Sequence, residues 1–262
     1  LDIERFADAA HRHGVPLIID NTFATPINCR PFEWGADIIT HATTKYMDGH
    51  AQAIGGIIVE KGGFNWDNGK FPEFTQPDKS YHGLIFIEAF PPCPFSVKLR
   101  TQWVRDLGIP MMPFNAYITN LGLETLHLRM QRHSQSALKV AQYLQNHPKI
   151  EWVNYPLLEN NSQYQKAKKY IPQGGSSIVS FGIKGGRAEG TKFIEGVKLL
   201  IHATNIGDAR SIITYPALTT HRQLSDEQME SCGIGINFMR LSVGLEDVDD
   251  IIEDIETSLN KI

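Results

Sequence analysis

The sequence of 262 residues contains few cysteines, and none of them form a CxxC pair. Cys29, Cys93 and Cys232 are odd in number and far apart, which argues against a disulfide framework and against a thiolate zinc site. His41 and His50 also lack the spacing of a zinc motif. We therefore expect no metal site, and a reducing, cytoplasmic environment.

Long apolar runs and a surplus of basic charge are also missing. No uninterrupted apolar stretch approaches the roughly 18 to 20 residues of a membrane span, and the first residues, LDIERFADAAHRHG, lack the regions of a signal peptide. The formal charge is −4, from 25 Lys and Arg against 29 Asp and Glu. This balance gives no reason to expect a polyanionic partner. We expect neither a membrane nor a nucleic acid as partner.

Three short apolar runs, residues 15–19, 36–40 and 54–59, end at turns or polar clusters and predict buried strands. An amphipathic helix precedes the first run and stops at Gly14. The alternation of helix and strand predicts an α/β sheet that is covered on its faces.

The remaining sequence changes character twice. Residues 62–94 are rich in Gly, Pro, Asn and aromatics and predict a long insertion or lid-like loop, whereas residues 117–147 predict one long helix with room for a kink. The runs SSIVSFGI, SIITYPA and FMRLSVGL then predict strands, and residues 188–200 and 246–259 predict helices. We place one domain at residues 1–123 and a smaller α+β domain, which begins with the long helix, at residues 124–262.

Asp20 and Lys45 follow the first two predicted strands, at the rim where open α/β sheets bind ligands. Taken alone, such an aspartate is more often a helix cap or an ion-pair partner, and such a lysine is usually solvated. The segment HATTKYMDGH adds the hydroxyls of Thr43 and Thr44, which could hold a phosphate beside the lysine. These residue types support a cofactor anchored by Asp, Lys and Thr.

The block DNTFATPINCRPFEWGADIITHATTKYMDGHAQAIGGIIV resembles the active-site block of the Cys/Met-metabolism family of pyridoxal phosphate enzymes, including the 25 residues from Asp20 to Lys45. Further blocks, among them LRTQWVRDLG, SFGIKGG and MRLSVGLEDVDDIIEDIE, follow in the same order over almost the whole chain. The resemblance implies an α/β fold of the PLP-dependent transferase (aspartate aminotransferase-like) type, with a mixed, mostly parallel sheet. Residues 1–123 would be the C-terminal part of the cofactor-binding large domain.

The resemblance also implies roles around pyridoxal 5'-phosphate. Asp20 would lie against the pyridine nitrogen, and Thr22 beside the ring. Lys45 would bond covalently to the cofactor and move protons as general base and acid. Thr44 would bind the phosphate. The family's serine three residues before the lysine is Ala42 here, so we expect weaker cofactor retention unless Thr43 or a water compensates.

Substrate contacts are implied in the last third of the chain. Arg240 in MRLSVG matches the arginine that holds the substrate α-carboxylate, although a strand arginine without this match is more often a surface ion-pair partner. Ser211 in ARSII matches a serine near the lysine and the carboxylate. Thr219 and His221 in PALTTH belong to a block that lines the same pocket.

The implied reaction is a γ-replacement in methionine biosynthesis, in which O-acetylhomoserine and sulfide give homocysteine and acetate, or a small thiol gives the S-alkyl analogue of homocysteine and acetate. Sister reactions on the same residues, namely cystathionine formation from cysteine or methanethiol release from methionine, remain open. A non-catalytic structural or assembly fragment is the alternative of another class.

Several elements of the family's site precede the Asp block and are not in this sequence: the glycine-containing phosphate loop, the ring-stacking tyrosine, and a tyrosine and an arginine donated by a neighbouring subunit. We therefore expect the C-terminal part of a longer enzyme. We also expect a homo-oligomer, a dimer of dimers, in which a neighbour contributes site residues.

Overall fold

Two β-sheets with flanking helices organise the chain, and the computed structural model describes residues 1–262. The strands are β1 (Ile18–Asp20), β2 (Ile38–Ala42), β3 (Gly56–Glu60), β4 (Ile150–Asn154), β5 (Ile178–Ile183), β6 (Ile201–His202), β7 (Ile212–Thr214) and β8 (Phe238–Ser242). The helices are α1 (Ile3–Arg12), α2 (Thr25–Asn28), α3 (Pro72–Thr75), α4 (Phe86–Ala89), α5 (Pro94–Lys98), α6 (Pro113–Glu124), α7 (Leu126–Gln145), α8 (Tyr164–Tyr170), α9 (Arg187–Gly196), α10 (Asp226–Ser231) and α11 (Val248–Leu259). None of these helices is long and apolar enough to span a membrane.

The first sheet has the order β1-β2-β3, with β1 parallel and β3 antiparallel to β2. Each of its strands begins two or three residues later than predicted. The reason at β1 is visible, because Pro16 has no amide hydrogen and the amide of Leu17 donates to the Asp37 carboxylate at 2.8 Å instead of to the sheet. The parallel pairing sets Asp20 opposite Thr40, so the carboxyl ends of β1 and β2 share one edge.

The second sheet has the order β4-β5-β8-β7-β6 and carries the main core. Helix α11 places Val248, Ile251, Ile255 and Leu259 on it at helical spacing, and all four side chains are buried. Helices α7 and α9 contribute to the same cluster. Strands β4 and β6 were not predicted from periodicity.

The segment predicted as a lid-like loop, residues 62–94, is instead packed. It contains α3 and α4, and Trp66, Phe74 and Phe86 are buried in a cluster with Ile38 of β2. Burial of three large aromatic side chains is a strong apolar contribution that composition alone did not reveal. The prediction of a lid-like loop was therefore wrong in this segment, and the other prediction, a long insertion, is left.

The long predicted helix is interrupted at Thr125, between α6 and α7 (φ −107°, ψ 4°). Gly122, one turn before the break, touches the loop that follows Lys45, because an added Cβ there would lie 2.1 Å from the carbonyl oxygen of Met47. The interruption brings α7 under that loop. The long helix was predicted with room for a kink, and the break at Thr125 is where the helix changes course.

Arg129 of α7 holds together α6, α7 and the loop that follows Lys45, which we call the lysine loop. The buried guanidinium donates from Nη1 to the Tyr46 carbonyl and from Nη2 to the Gly122 carbonyl, both at 2.6 Å, and from Nε to the Thr125 hydroxyl at 3.1 Å. Burial lowers the pKa of Arg129, and the charge of Asp48 opposes that change.

Arg129→Met should therefore lower the free energy of unfolding by about 2 to 4 kcal/mol, because it leaves several buried carbonyls without donors. Denaturant unfolding measures the loss. The matched control is Arg132→Met, which changes an exposed arginine of the same helix and should stay within about 0.5 kcal/mol of the parent. Equal losses for the two variants would contradict the role assigned to Arg129.

Candidate active site

Asp20 stands at the shared carboxyl edge of β1 and β2 and is exposed. Its Oδ1 accepts a hydrogen bond from the amide of Thr22 at 2.9 Å, which turns the chain sharply after the strand. The Thr22 hydroxyl then accepts from the amide of Ala42 at 2.8 Å and joins the two strand ends. The carboxylate is thus fixed at the edge by one oxygen, and Oδ2 keeps its capacity to accept.

His41 lies beside this carboxylate. Its side chain is buried in β2, and its Nδ1 has no hydrogen-bond partner. Burial lowers the pKa of His41, while the negative charge of Asp20 acts in the opposite direction. The pKa of this imidazole therefore depends on the charge of Asp20, although no functional role was predicted for His41.

Lys45 reaches across to the second half of the chain. Its Nζ donates to Oδ1 of Asn205 at 2.7 Å. Partial burial lowers the pKa of Lys45, and the positive charge of Arg240 lowers it further. A lysine with a lowered pKa is more often neutral and therefore more nucleophilic.

Arg240, in β8, lies next to the same contact. Its Nη2 donates to the Thr204 carbonyl at 2.7 Å and to the Thr214 hydroxyl at 3.3 Å. Burial lowers the pKa of Arg240, and the neighbouring Tyr46 opposes the change. The fold thus brings Lys45, Asn205 and Arg240 together, although they come from distant parts of the sequence.

Thr43 and Thr44, the two residues before Lys45, differ in the hydrogen bonds of their hydroxyl groups. Thr44 Oγ1 donates to the Gly55 carbonyl at 3.3 Å and accepts from the Gly55 amide at 3.0 Å. The Thr43 hydroxyl is buried without a partner, and Ala42 supplies none. The phosphate role of Thr44 stays a prediction, and Thr43 is the neighbouring donor that the chain leaves unpaired.

The other residues predicted to bind substrate make hydrogen bonds within the protein. Ser211 is fully buried, and its hydroxyl donates to Glu246 at 2.9 Å and accepts from the Gly244 amide at 2.8 Å. The Thr219 hydroxyl donates to the Tyr215 carbonyl at 2.9 Å, and His221 contacts Thr220. These hydrogen bonds give no support to a place beside Lys45, so the roles of Ser211 and Thr219 stay predictions.

Asn205 is the residue that sequence reasoning missed. It lies in the connection from β6 to β7, within the block NIGDARSIITYP, from which Ser211 was chosen instead. The available signal was an Asn-Ile-Gly turn, in which Gly207 takes a positive φ of 71°. Only the fold shows that this turn meets the lysine.

A groove with a volume of about 850 Å³ lies elsewhere in the structure. Its lining is mainly apolar, including Ile18, Trp66 and Trp103, and its lysine, Lys98, already pairs with Asp78 outside the lining at 2.8 Å. It contains none of the predicted site residues, so the chemistry is assigned to the Lys45 region.

The residues present fit pyridoxal phosphate. The ring nitrogen of that cofactor calls for a carboxylate, its aldehyde for a nucleophilic amine and its phosphate for hydrogen-bond donors. Asp20 retains an accepting oxygen, Lys45 has a lowered pKa, and Thr43 holds an unpaired hydroxyl two residues before the lysine.

Comparison with known proteins gives consistent matches. Residues 1–260 match the family model described as Cys/Met metabolism PLP-dependent enzyme. An O-acetyl-L-homoserine sulfhydrylase of Leptospira meyeri is 50% identical over 271 residues, covering 100% of this chain and 61% of the relative. A homocysteine synthase of Schizosaccharomyces pombe is 44% identical, covering 98% of this chain and 61% of the relative. The chain thus spans about three fifths of the length of these curated relatives.

A solved structure gives the same result. A candidate O-acetylhomoserine (thiol)-lyase of Campylobacter jejuni superposes with a TM-score of 0.93 at 39% identity. The alignment covers 99% of this chain and 62% of the solved one, which contains N'-pyridoxyl-lysine-5'-monophosphate.

Proposed function

Because the chain belongs to the Cys/Met metabolism family of PLP-dependent enzymes, we propose that it carries the lysine and the carboxylate-binding arginine of a γ-replacement. O-Acetylhomoserine and sulfide give homocysteine and acetate, and a small thiol in place of sulfide gives the S-alkyl analogue of homocysteine and acetate. The family match and the superposition confirm the predicted family and fold class. The observation that carries the proposal is Lys45, with its lowered pKa, bonded to Asn205 beside Arg240.

Asp20, Lys45 and Asn205 are proposed to have separate roles in the reaction. When bound, pyridoxal phosphate accepts electrons from the substrate α carbon. Asp20 is proposed to keep the ring nitrogen protonated by its negative charge. Lys45 removes the α proton and then assists the removal of a β proton as acetate leaves the γ carbon. Asn205 holds the amine of Lys45 in place between these steps.

Arg240 is proposed to bind the substrate α-carboxylate. A guanidinium offers paired donors that match a carboxylate, and this one is partly buried, which strengthens a charged hydrogen bond. In the structure its Nη2 is held by Thr204 and Thr214, so the group is already oriented near Lys45. Its positive charge has a second effect, since it keeps the nearby lysine amine neutral more often.

The proposal includes an assembly and a location. The surface from the π-helical turn Leu99–Val104 to α6 exposes Trp103, Met112, Phe114 and Tyr117. Large exposed apolar side chains of this kind favour contact with another protein surface. We propose a homo-oligomer, a dimer of dimers with site residues donated by a neighbour, in the cytoplasm.

Product analysis tests the reaction. The holoenzyme is given O-acetylhomoserine with sulfide, O-acetylhomoserine with cysteine, or methionine alone, and the products are identified by mass spectrometry. We expect homocysteine as the main product, as the names of the relatives suggest. Cystathionine or methanethiol as the main product would replace the proposal by a sister reaction, and no product in any arm would favour the non-catalytic alternative.

A further inference from the structure

A connected set of buried hydroxyls lies directly behind the lysine. Tyr46, the residue after Lys45, is fully buried, and its hydroxyl lies 2.6 Å from Ser177 Oγ and 2.7 Å from Ser176 Oγ. Ser177 Oγ lies 3.1 Å from Ser242 Oγ in β8. The three serines and the tyrosine thus join the lysine loop to the second sheet.

The hydroxyl set ends on the turn that carries Asn205. The amide of Gly207 donates to Ser242 Oγ at 3.0 Å. Gly207 also packs closely against Tyr46, because an added Cβ at Gly207 would lie 2.8 Å from both the Cγ and the backbone nitrogen of Tyr46. The turn is therefore held to Tyr46 by direct packing and by the shared serine.

Asn205 is fixed from both sides by groups of β8. The Thr204 carbonyl before it accepts from Arg240, and the Gly207 amide after it donates to Ser242, which lies two residues further along the same strand. Residues two apart in a strand share one face, so both contacts come from the same side of the sheet.

We propose that Tyr46 is a positioning residue that, with Ser242, holds Asn205 against Lys45. The proposal rests on the proposed function only in that Lys45 is the reactive amine. A purely structural role is the alternative, since buried hydroxyls need partners wherever they are. The two roles differ in what happens to the amine when one hydroxyl is removed.

A hydrogen bond from the ammonium form of Lys45 to Asn205 favours the protonated amine. If Tyr46→Phe loosens the Asn205 turn, that bond weakens and the pKa of Lys45 should fall by about 0.5 to 1 unit. Ser242→Ala should act in the same direction with a smaller change of volume. Asn205→Ala removes the hydrogen bond to Lys45 completely and should therefore give the largest fall in the pKa of Lys45.

The readout is the pH dependence of Lys45 labelling in the apoenzyme. Reductive methylation is followed by mass spectrometry of the peptide that contains Lys45, so the result does not depend on which reaction the holoenzyme catalyses. Tyr215→Phe is the matched control, because that tyrosine is also fully buried and donates to the Ile236 carbonyl at 2.7 Å, away from the Asn205 turn. It should lower the melting temperature about as Tyr46→Phe does and leave the labelling profile unchanged.

The double variant Tyr46→Phe/Asn205→Ala decides between the two roles. If Tyr46 acts through Asn205, the double variant has the labelling profile of Asn205→Ala alone. A labelling profile for Tyr46→Phe and Ser242→Ala that equals the Tyr215→Phe profile would overturn the proposal, and so would additive shifts in the double variant. Failure of the product analysis, with these shifts present, would instead reject only the proposed reaction.

Discussion

Lys45→Ala is expected to reduce turnover of O-acetylhomoserine with sulfide by at least about 10⁴-fold, because in the proposed mechanism one amine acts as nucleophile and as proton carrier. The variant should also lack the visible absorption band of lysine-bound pyridoxal phosphate. Borohydride should therefore fix no cofactor to the protein. Stopped assays for homocysteine and an absorption spectrum measure the two effects on the same preparation.

The control for this variant is Lys139→Ala, which removes an exposed lysine from α7 and should retain both band and turnover. Circular dichroism and the melting temperature show whether Lys45→Ala is folded. A folded Lys45→Ala protein that keeps the band, or that keeps turnover within an order of magnitude of the parent, would refute the assignment.

The lowered pKa of Lys45 fixes the direction of a pH effect. Burial and the charge of Arg240 both favour the neutral amine, so labelling of Lys45 in the apoenzyme should begin at lower pH than labelling of an exposed lysine. Burial is the larger cause of the shift. The amine therefore stays more reactive than a solvated lysine even without the arginine's charge.

The edge of the first sheet could be predicted because it depends on local sequence. Apolar runs that end in Asp20 and before Lys45 mark strand ends, and the parallel pairing follows from the α/β pattern. The start of β1 could not be predicted, since the amide of Leu17 donates to the Asp37 side chain and not to the sheet. The break at Thr125 likewise depends on a close approach between Gly122 and Met47, which are remote in sequence.

The part of the site that comes from the second half of the chain, around Asn205, depends on contacts that local sequence does not encode. Lys45 and Asn205 meet across 160 residues, and their contact depends on how the second sheet packs against the lysine loop. Motif matching pointed to Ser211, which lies six residues beyond Asn205 in the same block but is bonded to Glu246 and Gly244. The role of Ser211 in substrate binding therefore stays a prediction, whereas the contact of Asn205 with Lys45 is visible in the fold.

Asp20→Asn is expected to lower turnover by about 10²- to 10³-fold, because it removes the negative charge that we propose keeps the ring nitrogen protonated. The substitution preserves local structure, since the asparagine carbonyl can still accept from the Thr22 amide. The loss should therefore appear in turnover, with little change in the free energy of unfolding.

A second readout of Asp20→Asn follows from His41. The charge of Asp20 raises the pKa of His41 against the effect of burial, so the variant should titrate this histidine at lower pH than the parent does. NMR of the imidazole C–H signals measures the shift in the apoenzyme. The shift tests whether the Asp20 carboxylate is ionised, independently of any substrate.

Asp37→Asn is the matched control for Asp20→Asn. Asp37 also accepts a backbone amide in this strand pair, but it lies at the opposite edge, before β2, where it also contacts His11 at 2.8 Å. Its substitution should cost some stability and leave turnover unchanged, because none of the proposed site residues lies at that edge. If both variants lose turnover equally, the effect of Asp20→Asn is structural and the assignment of Asp20 to the ring nitrogen fails.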